Sequence, residues 1–253
     1  MKFAIFKYAL SAIVILCASI TQAAEIKVLT AGAFKPVLST VAEAFEKQTG
    51  HTVKIENDTA GALLRRISGG EAFDLAIITP GALDELAKTN RVSPTSITRL
   101  ARVAIGVAVK KGAPAPDIRT VDAFKTALLN ARAVAYIDPQ AGGSSGIYLS
   151  GLFEKMGIAD RIKPKAVLVP GGLVAERLVN DQADIALHQI SEILAVPGAQ
   201  LVGPIPVEIQ NYTVYAGALS PTVRDAAATQ ALLTALKSEA AREAMKKLGL
   251  EAQ

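Results

Sequence analysis

The chain has 253 residues, of which 51% are hydrophobic and 20% are charged. This length fits one large domain or two lobes of about 100 residues each, and the composition excludes a disordered or collagen-like chain. Lys and Arg outnumber Asp and Glu by 27 to 23, for a net charge of +4, and the basic residues are scattered. Because a nucleic-acid-binding surface needs a dense basic stripe, we expect no nucleic-acid partner.

Residues 1–23 have the pattern of a secretory signal peptide. Two lysines precede an apolar stretch from Tyr8 to Ala18, which is shorter than the roughly 20 apolar residues of an uncleaved membrane anchor. Thr21 and Ala23 then supply small residues at positions −3 and −1 of a cleavage site. We therefore predict cleavage and localisation in the periplasm; loss of the two lysines reduces the net charge to +2.

Cofactor chemistry is constrained by two residue types. Cys17 is the only cysteine and lies in the predicted signal peptide, so the mature chain has no thiol for a disulfide or a thiolate metal site. His51 and His188 are the only histidines, too few for a His-rich metal site. We expect neither a metal nor a cofactor.

Short apolar runs typical of strands alternate with amphipathic runs typical of helices. Helix 36–48 shows the helical pattern clearly, since apolar residues recur at Val37, Val41 and Phe45 and a proline stands in its first turn. The first series predicts strands at 26–30, 52–56 and 73–78, with helices at 36–48, at 61–68 and from Pro80.

A second series of the same kind follows. It predicts strands at 103–109, 133–137, 166–169 and 184–188, helices from Val121, Ser145 and Leu173, a Pro- and Gly-rich stretch at 197–206, a strand at 212–219 and two helices within 221–248. Alternation of this kind predicts an α/β fold in which mostly parallel sheets are flanked by helices on both faces.

The two series predict two lobes rather than two tethered domains, because no flexible linker separates them. We expect two crossover strands near 102–105 and 207–212. This divides the mature chain into a first part of lobe 1 (24–104), lobe 2 (105–208) and a return segment of lobe 1 with the C-terminal helices (209–253).

Four Gly-containing loops lie where α/β sheets bind ligands, beyond the carboxyl ends of strands and at the starts of helices. Free backbone N–H groups and the helix dipole make such places anion sites. For any one loop a simple turn is the alternative, but four loops in corresponding positions favour a site. The loops 31–34, 58–61, 142–146 and 170–172 contribute the candidate residues Ala33, Phe34, Ala60, Gly61, Gly143, Ser144, Ser145 and Gly171.

Three further residues complete the candidate site. His188 ends an apolar strand where strand ends face a cleft, with a hydrogen-bonded structural histidine as the alternative. Arg102 lies at the first crossover and offers a planar guanidinium to a carboxylate, with a solvated arginine as the alternative. Thr79, at the end of the third predicted strand, is included with them.

Residues 142–146 also match the G-x-S-x-G pattern of serine hydrolases. Asp181 or Asp184 and then His188 follow in the required chain order. An elbow serine, however, directly follows its strand, whereas residues 138–141 intervene here. A hydrolase is therefore the less favoured alternative, and it predicts turnover of p-nitrophenyl esters that is lost in Ser144→Ala.

Several segments together resemble the periplasmic solute-binding proteins of ABC importers, in the molybdate-binding group. The matching segments are 26–34, 63–67 with 73–77, 138–139 with 146–148, and 183–186. The resemblance implies a two-lobed periplasmic-binding-protein-like fold that closes on a small anionic ligand without enzymatic activity. It also implies an ABC permease in the inner membrane as partner, and we expect a monomer.

The sequence departs from this group at the ligand positions. Members that hold molybdate use a serine in each of the first two loops, where this chain has Ala33 and Ala60, and a tyrosine in the second lobe, where it has His188. Each lost hydroxyl removes a donor worth about 1.5–3 kcal/mol to a buried dianion. Because Arg102 and Ser144 suit a larger planar anion, we favour an organic carboxylate over molybdate. A ligand sensor coupled to a membrane receptor is the alternative to a transport role.

Overall fold

The computed structural model describes residues 23–253, so the predicted signal peptide lies outside the described residues except for Ala23. The strands in this range are β1 (Glu25–Ala31), β2 (Thr52–Asp58), β3 (Leu75–Ile78), β4 (Thr98–Lys110), β5 (Val134–Ile137), β6 (Ala166–Val169), β7 (Ile185–Gln189), β8 (Ala199–Pro204), β9 (Tyr212–Leu219) and β10 (Leu250–Ala252). The helices are α1 (Lys35–Thr49), α2 (Ala60–Ser68), α3 (Pro80–Lys88), α4 (Val121–Asn130), α5 (Ser144–Lys155), α6 (Ala159–Ile162), α7 (Glu176–Val179), α8 (Ile190–Leu194), α9 (Ala226–Ala235) and α10 (Glu239–Lys247). None of these helices is long and apolar enough to cross a membrane.

The strands follow the order β2-β1-β3-β9-β4-β7-β5-β6, and β8 and β10 also pair with β4. The pairs among β1, β2 and β3 and among β5, β6 and β7 are parallel. Every pair that involves β4 or β9 is antiparallel. The predicted α/β class with two helix-flanked sheets is therefore confirmed, with parallel outer strands and an antiparallel centre.

Strand β4 belongs to both halves of the sheet. Up to Ala104 it pairs with β9, and from Ile105 onward it pairs with β7 and β8. We call the half that contains β1, β2, β3, β9 and β10 the first lobe and the half that contains β5, β6, β7 and β8 the second lobe. The division into 24–104, 105–208 and 209–253 stays a prediction, and the change of partners in β4 is in keeping with its first boundary.

The side chain of Gln210 lies at the point where β4 changes partners. Its Oε1 accepts a hydrogen bond from the backbone N–H of Ile105 at 3.0 Å, and its Nε2 donates to the carbonyl oxygen of Ile105 at 3.0 Å. One carboxamide thus bonds to both backbone groups of Ile105, whose carbonyl oxygen also accepts from the backbone N–H of Ile205 at 3.1 Å.

Apolar clusters cover both faces of the sheet in each lobe. In the first lobe, α1, α9 and α10 pack on one face and α2 and α3 on the other. In the second lobe, α4, α5 and α6 cover one face and α7 and α8 the other. Burial on both faces explains why strands such as β3 and β5 are apolar at every position.

Candidate functional site at the junction of the lobes

A cavity of about 40 Å³ lies between the two lobes. A buried water needs roughly 10–15 Å³ of such space, so the cavity has room for about three waters or a small anion. Its walls are formed by the residues Ala31, Gly32, Ala33, Asn57, Asp58, Thr59, Ala60, Ile137, Gly143, Ser144, Ser145, Gly172, His188, Gln189, Glu192 and Tyr215. We call this space the inner cavity; no lysine or arginine of the described chain is part of its wall.

The first-lobe wall consists of the segments that follow β1 and β2. Thr59 begins α2, and its Oγ1 accepts a hydrogen bond from the backbone N–H of Ala62 at 3.1 Å. Asp58 brings a carboxylate to the wall, but Arg66 Nη1 lies 3.6 Å from its Oδ2. The negative charge of Asp58 is therefore partly offset from within the same lobe.

The second-lobe wall depends on glycines at the start of α5. A Cβ atom at Gly146 would lie 2.2 Å from the carbonyl oxygen of Ile137, so only glycine lets α5 start against the end of β5. This packing presents Gly143, Ser144 and the buried Ser145 to the inner cavity. The helix start offers backbone N–H groups and hydroxyls, which are neutral donors to an anion.

His188 and Glu192 form a buried pair in the same wall. His188 lies in β7 and Glu192 in α8, and they are 2% and 8% exposed. His188 Nε2 and Glu192 Oε2 are 3.2 Å apart, and His188 Nδ1 has no hydrogen-bond partner within residues 23–253. Burial lowers the pKa of His188 to about 3 and raises the pKa of Glu192 to about 8. At neutral pH the pair therefore adds no net charge to the cavity.

Tyr215 and Gln189 are two further buried polar residues of the wall. Tyr215 comes from β9 of the first lobe, and burial together with Glu192 raises the pKa of its hydroxyl well above the ordinary value. Gln189 Nε2 donates to Thr213 Oγ1 at 2.7 Å, while Gln189 Oε1 has no hydrogen-bond partner in the described chain. Tyr215 is thus a neutral hydroxyl opposite the buried pair.

Direct hydrogen bonds hold the two lobes together around the inner cavity. Gly61 N–H donates to the carbonyl oxygen of Gly142 at 3.0 Å, and Thr59 Oγ1 donates to that of Ala141 at 2.6 Å. On another side, Ser191 Oγ donates to the carbonyl oxygen of Ala33 at 2.8 Å. The structure is therefore in a closed conformation.

A second, larger pocket of about 400 Å³ adjoins the inner cavity. The two share Gly32, Asn57, Gly172 and Glu192 as wall residues. We call it the outer pocket. Its charged wall residues also include Lys35 from the first lobe and Glu176 and Arg177 from the second, so each lobe contributes one cation to it.

Comparison with known proteins identifies the family. A family model described as bacterial extracellular solute-binding protein matches residues 26–251. This chain belongs to that solute-binding family. It is 36% identical over 230 residues to a protein named aconitate isomerase from a Pseudomonas species, and the match covers 88% of this chain and 86% of that protein.

Solved structures of this solute-binding protein's relatives share its fold. The periplasmic molybdate-binding protein of Azotobacter vinelandii has a TM-score of 0.74 at 20% identity, covering 89% of this chain and 98% of that one. The sulfate-binding protein SubI of Mycobacterium tuberculosis has a TM-score of 0.74 at 17% identity, covering 90% and 86%. The resemblance to periplasmic solute-binding proteins is confirmed, and at these identities it concerns the fold.

Most of the residues that the sequence nominated come together in this solute-binding protein. Six of them belong to the wall of the inner cavity: Ala33, Ala60, Gly143, Ser144, Ser145 and His188. Gly61 lies behind the wall at the contact with Gly142, and Gly171 belongs to the outer pocket. Phe34 is fully buried in the core beneath α1, and Thr79 precedes α3 away from the cavity.

Arg102 does not reach the inner cavity or the outer pocket. Strand β10 pairs with β4 and places Glu251 opposite Arg102, whose Nη2 lies 2.5 Å from Glu251 Oε2. The guanidinium also lies 4.4 Å from the ring centre of Tyr212. Because the C-terminal strand occupies Arg102 in a surface ion pair, this residue is not available to a ligand in the cleft.

The sequence interpretation missed several polar wall residues, above all Asn57, Gln189, Glu192 and Tyr215. Glu192 had a detectable signal, because it is an acidic residue directly before the apolar run 193–197 and four positions after His188. Tyr215 stands in an apolar strand and looks like a core residue. The interlobe serine Ser191 also gave no signal in the sequence.

Proposed function

We propose that this solute-binding protein captures a small organic polycarboxylate in the closed cleft and delivers it to an ABC permease. The observation that carries the proposal is the combination of an inner cavity with neutral hydrogen-bond donors and an outer pocket that contains Lys35 and Arg177 beside the acidic Glu176. A tetrahedral oxyanion fits within the inner cavity alone. Cations outside it contribute only if the ligand extends towards them with further negative charge.

The inner cavity suits one carboxylate of such a ligand. The start of α5 offers backbone N–H groups at the wall, and Ser144 and Ser145 add hydroxyl donors. Ala33 and Ala60 provide no hydroxyl where molybdate-binding relatives use serines, which favours an organic ligand. A ligand much larger than one carboxylate would extend into the outer pocket, where Lys35 and Arg177 would neutralise its remaining charge.

The 36% identical relative supports the same ligand class, because its name refers to aconitate, an unsaturated tricarboxylate. It also favours a second candidate function, isomerisation of such a ligand in the same cleft. The sequence predicted a protein without enzymatic activity, and an assay for isomerisation would test that prediction. Export to the periplasm, predicted from residues 1–23, is in keeping with the extracellular solute-binding family.

Ligand-induced thermal stabilisation of the mature protein tests this proposal. The panel contains cis- and trans-aconitate, citrate, tricarballylate, molybdate, tungstate and sulfate. A ligand present at about 100 times its Kd stabilises the protein by about 2.7 kcal/mol, which raises Tm measurably. We expect a shift with one or more tricarboxylates; a shift with molybdate or tungstate alone would overturn the proposed ligand class.

Charge removal in the outer pocket gives the residue-level test. Lys35→Gln and Arg177→Gln should each weaken tricarboxylate binding about tenfold, the loss of roughly one charge-assisted hydrogen bond. Isothermal titration calorimetry measures the change. Lys88→Gln and Arg161→Gln remove exposed cations outside both pockets and serve as controls. Equal losses in the controls would indicate an effect of net charge and contradict a role for the outer pocket.

A further inference from the structure

Binding of an anion does not require the buried pair of His188 and Glu192. Backbone amides and hydroxyls already supply neutral donors in the inner cavity, and they do so without titratable groups. Burying an acid and a base side by side reduces stability, and such pairs are concentrated at catalytic sites. His188 and Glu192 lie four residues apart across the junction of β7 and α8, with 3.2 Å between Nε2 and Oε2.

The electrostatics of the pair fix its protonation at neutral pH. His188 Nε2 lies 3.2 Å from Glu192 Oε2, and His188 Nδ1 has no hydrogen-bond partner in residues 23–253. Because burial raises the pKa of Glu192 to about 8 and lowers that of His188 to about 3, the carboxyl is protonated and the imidazole is neutral. Glu192 Oε1 lies at the lobe interface, since a Cβ atom at Gly32 would be 2.5 Å from it. The pair thus offers a base and an acid to one ligand.

We propose that His188 and Glu192 catalyse an allylic proton shift in an unsaturated polycarboxylate bound in the inner cavity. The neutral imidazole of His188 accepts a proton from a carbon that lies between a carboxylate and a C=C bond. The C–H electron pair enters a conjugated dienolate, and the carboxylate oxygen that gains charge accepts a hydrogen bond from the protonated carboxyl group of Glu192. His188 returns the proton to the far end of the allyl system, and the double bond moves by one carbon. No oxidant, reductant or co-reactant is consumed.

The groups that face the pair fit this role. Tyr215 of β9 lies in the same cavity wall as a neutral hydroxyl, and Asp58 at the end of β2 lies there as a carboxylate whose Oδ2 is 3.6 Å from Arg66 Nη1. Lys35 and Arg177 lie in the outer pocket, where they bind carboxylates that do not react. Because Glu192 acts in its protonated form, the rate should fall as pH rises through about 8, the pKa to which burial raises this carboxyl.

The test follows carbon-bound hydrogen directly. The mature protein is incubated in D₂O with cis- or trans-aconitate, and ¹H NMR measures deuterium incorporation and interconversion of the two isomers. We expect exchange and interconversion in the wild type. His188→Asn and Glu192→Gln should lower both rates by about 10²- to 10⁴-fold, while calorimetric Kd changes by less than tenfold. Glu85→Gln, an exposed substitution on α3, should exchange at the wild-type rate.

This inference rests on the proposed function, and the outcomes separate the two. If the wild type binds aconitate but exchanges no deuterium above the buffer rate, proton transfer is overturned and the binding function stands. If the wild type binds no tricarboxylate, both are overturned. If both variants exchange as fast as the wild type, the two residues are not the catalytic groups. Should His188→Asn fail to fold by circular dichroism, Glu192→Gln and the pH profile decide.

Discussion

Glu192 has an environment that most glutamates avoid. Its carboxyl group lies at the interface of two lobes, 8% exposed and beside a histidine that is more deeply buried still. The cost of placing an anion there is what raises its pKa to about 8. At neutral pH Glu192 is therefore a hydrogen-bond donor in the wall of the inner cavity and does not itself repel a negative ligand.

The pH dependence of stability reports on this pair. The pKa of Glu192 is raised from 4.5 to about 8, so the folded state holds a proton that the unfolded state releases, and stability falls as pH rises through this window. The pKa of His188 is lowered from 6.5 to about 3, so its contribution rises with pH up to about 6.5. The two oppose each other between 4.5 and 6.5, and above 6.5 the effect of Glu192 acts alone.

We therefore expect the free energy of unfolding of the wild type to decrease from pH 6.5 to 8.5, and we expect Glu192→Gln to lose most of this decrease. Urea unfolding at pH 6.5, 7.5 and 8.5 measures it. Glu85→Gln should retain the wild-type slope. An unchanged slope in Glu192→Gln would show that Glu192 ionises normally in the folded protein.

The contrast between Arg102 and His188 shows how far single residues can be predicted from sequence. His188 was predicted because a strand end faces the cleft in any α/β sheet, which is a local property. Arg102 was assigned to the ligand from its position at a crossover, but its partner Glu251 is 149 residues away and comes from a three-residue strand. Pairings of this kind depend on the tertiary fold and carry no local signal.

Elements with strong periodicity were predicted well, and weak edge strands were not. The apolar strands and the amphipathic helices lie close to their predicted positions. Strand β8 was predicted only as part of a Pro- and Gly-rich stretch, because its sequence ends in Gly-Pro. It exists because β4 offers it a backbone edge, with a register shift at Val107 and Ala108. A strand that depends on its neighbour in this way is not specified by its own residues.

At the start of α2, the hydroxyl group of Thr59 both caps the helix and contacts the second lobe. Thr59 Oγ1 caps α2 and also donates to the carbonyl oxygen of Ala141 in the second lobe. Thr120 caps α4 in the same way through the N–H of Ala123 and makes no such interlobe bond. The two threonines therefore provide a matched pair that separates capping from closure.

Thr59→Val and Thr120→Val should each lower the free energy of unfolding by about 1 kcal/mol, the usual value of an N-cap. Thr59→Val alone should also weaken ligand binding, by about 2- to 10-fold, because closure loses a hydrogen bond worth about 0.5–1.5 kcal/mol. Urea unfolding and calorimetry measure the two quantities. Equal ligand affinity in both variants would contradict the assignment of the Ala141 bond to closure.

At the scale of the whole molecule, closure brings the backbone of Gly61 in the first lobe against the backbone of Gly142 in the second, with no side chain between them. A Cβ atom on Gly61 would lie 2.8 Å from Gly142 Cα. Gly61 is the second residue of α2, where its conformation is helical and alanine is acceptable. Gly81 is the second residue of α3, and a Cβ atom there would meet nothing within 4 Å.

Gly61→Ala should therefore leave the open protein folded and prevent full closure. We expect ligand affinity to fall by about 5- to 150-fold, the equivalent of 1–3 kcal/mol for an overpacked contact, with little change in unfolding free energy. Small-angle X-ray scattering should give a larger radius of gyration with ligand than for the wild type. Gly81→Ala should match the wild type in both measurements; wild-type affinity in Gly61→Ala would rule out this contact as part of closure.

The carboxamide of Gln210 has a mechanical consequence for the motion of the two lobes. It meets both backbone groups of Ile105, the residue at which β4 passes from one set of neighbours to the other. When the backbone rotates, a side chain can change its torsion angles and keep a hydrogen bond. A neighbouring strand cannot adjust a single bond in this way, because its bonds are fixed together in the sheet. We therefore expect the lobes to pivot about this point while Ile105 keeps its hydrogen bonds to Gln210. Release of the ligand would then break the interlobe bonds from Gly61 to Gly142 and from Thr59 to Ala141 and leave the junction of the strands intact.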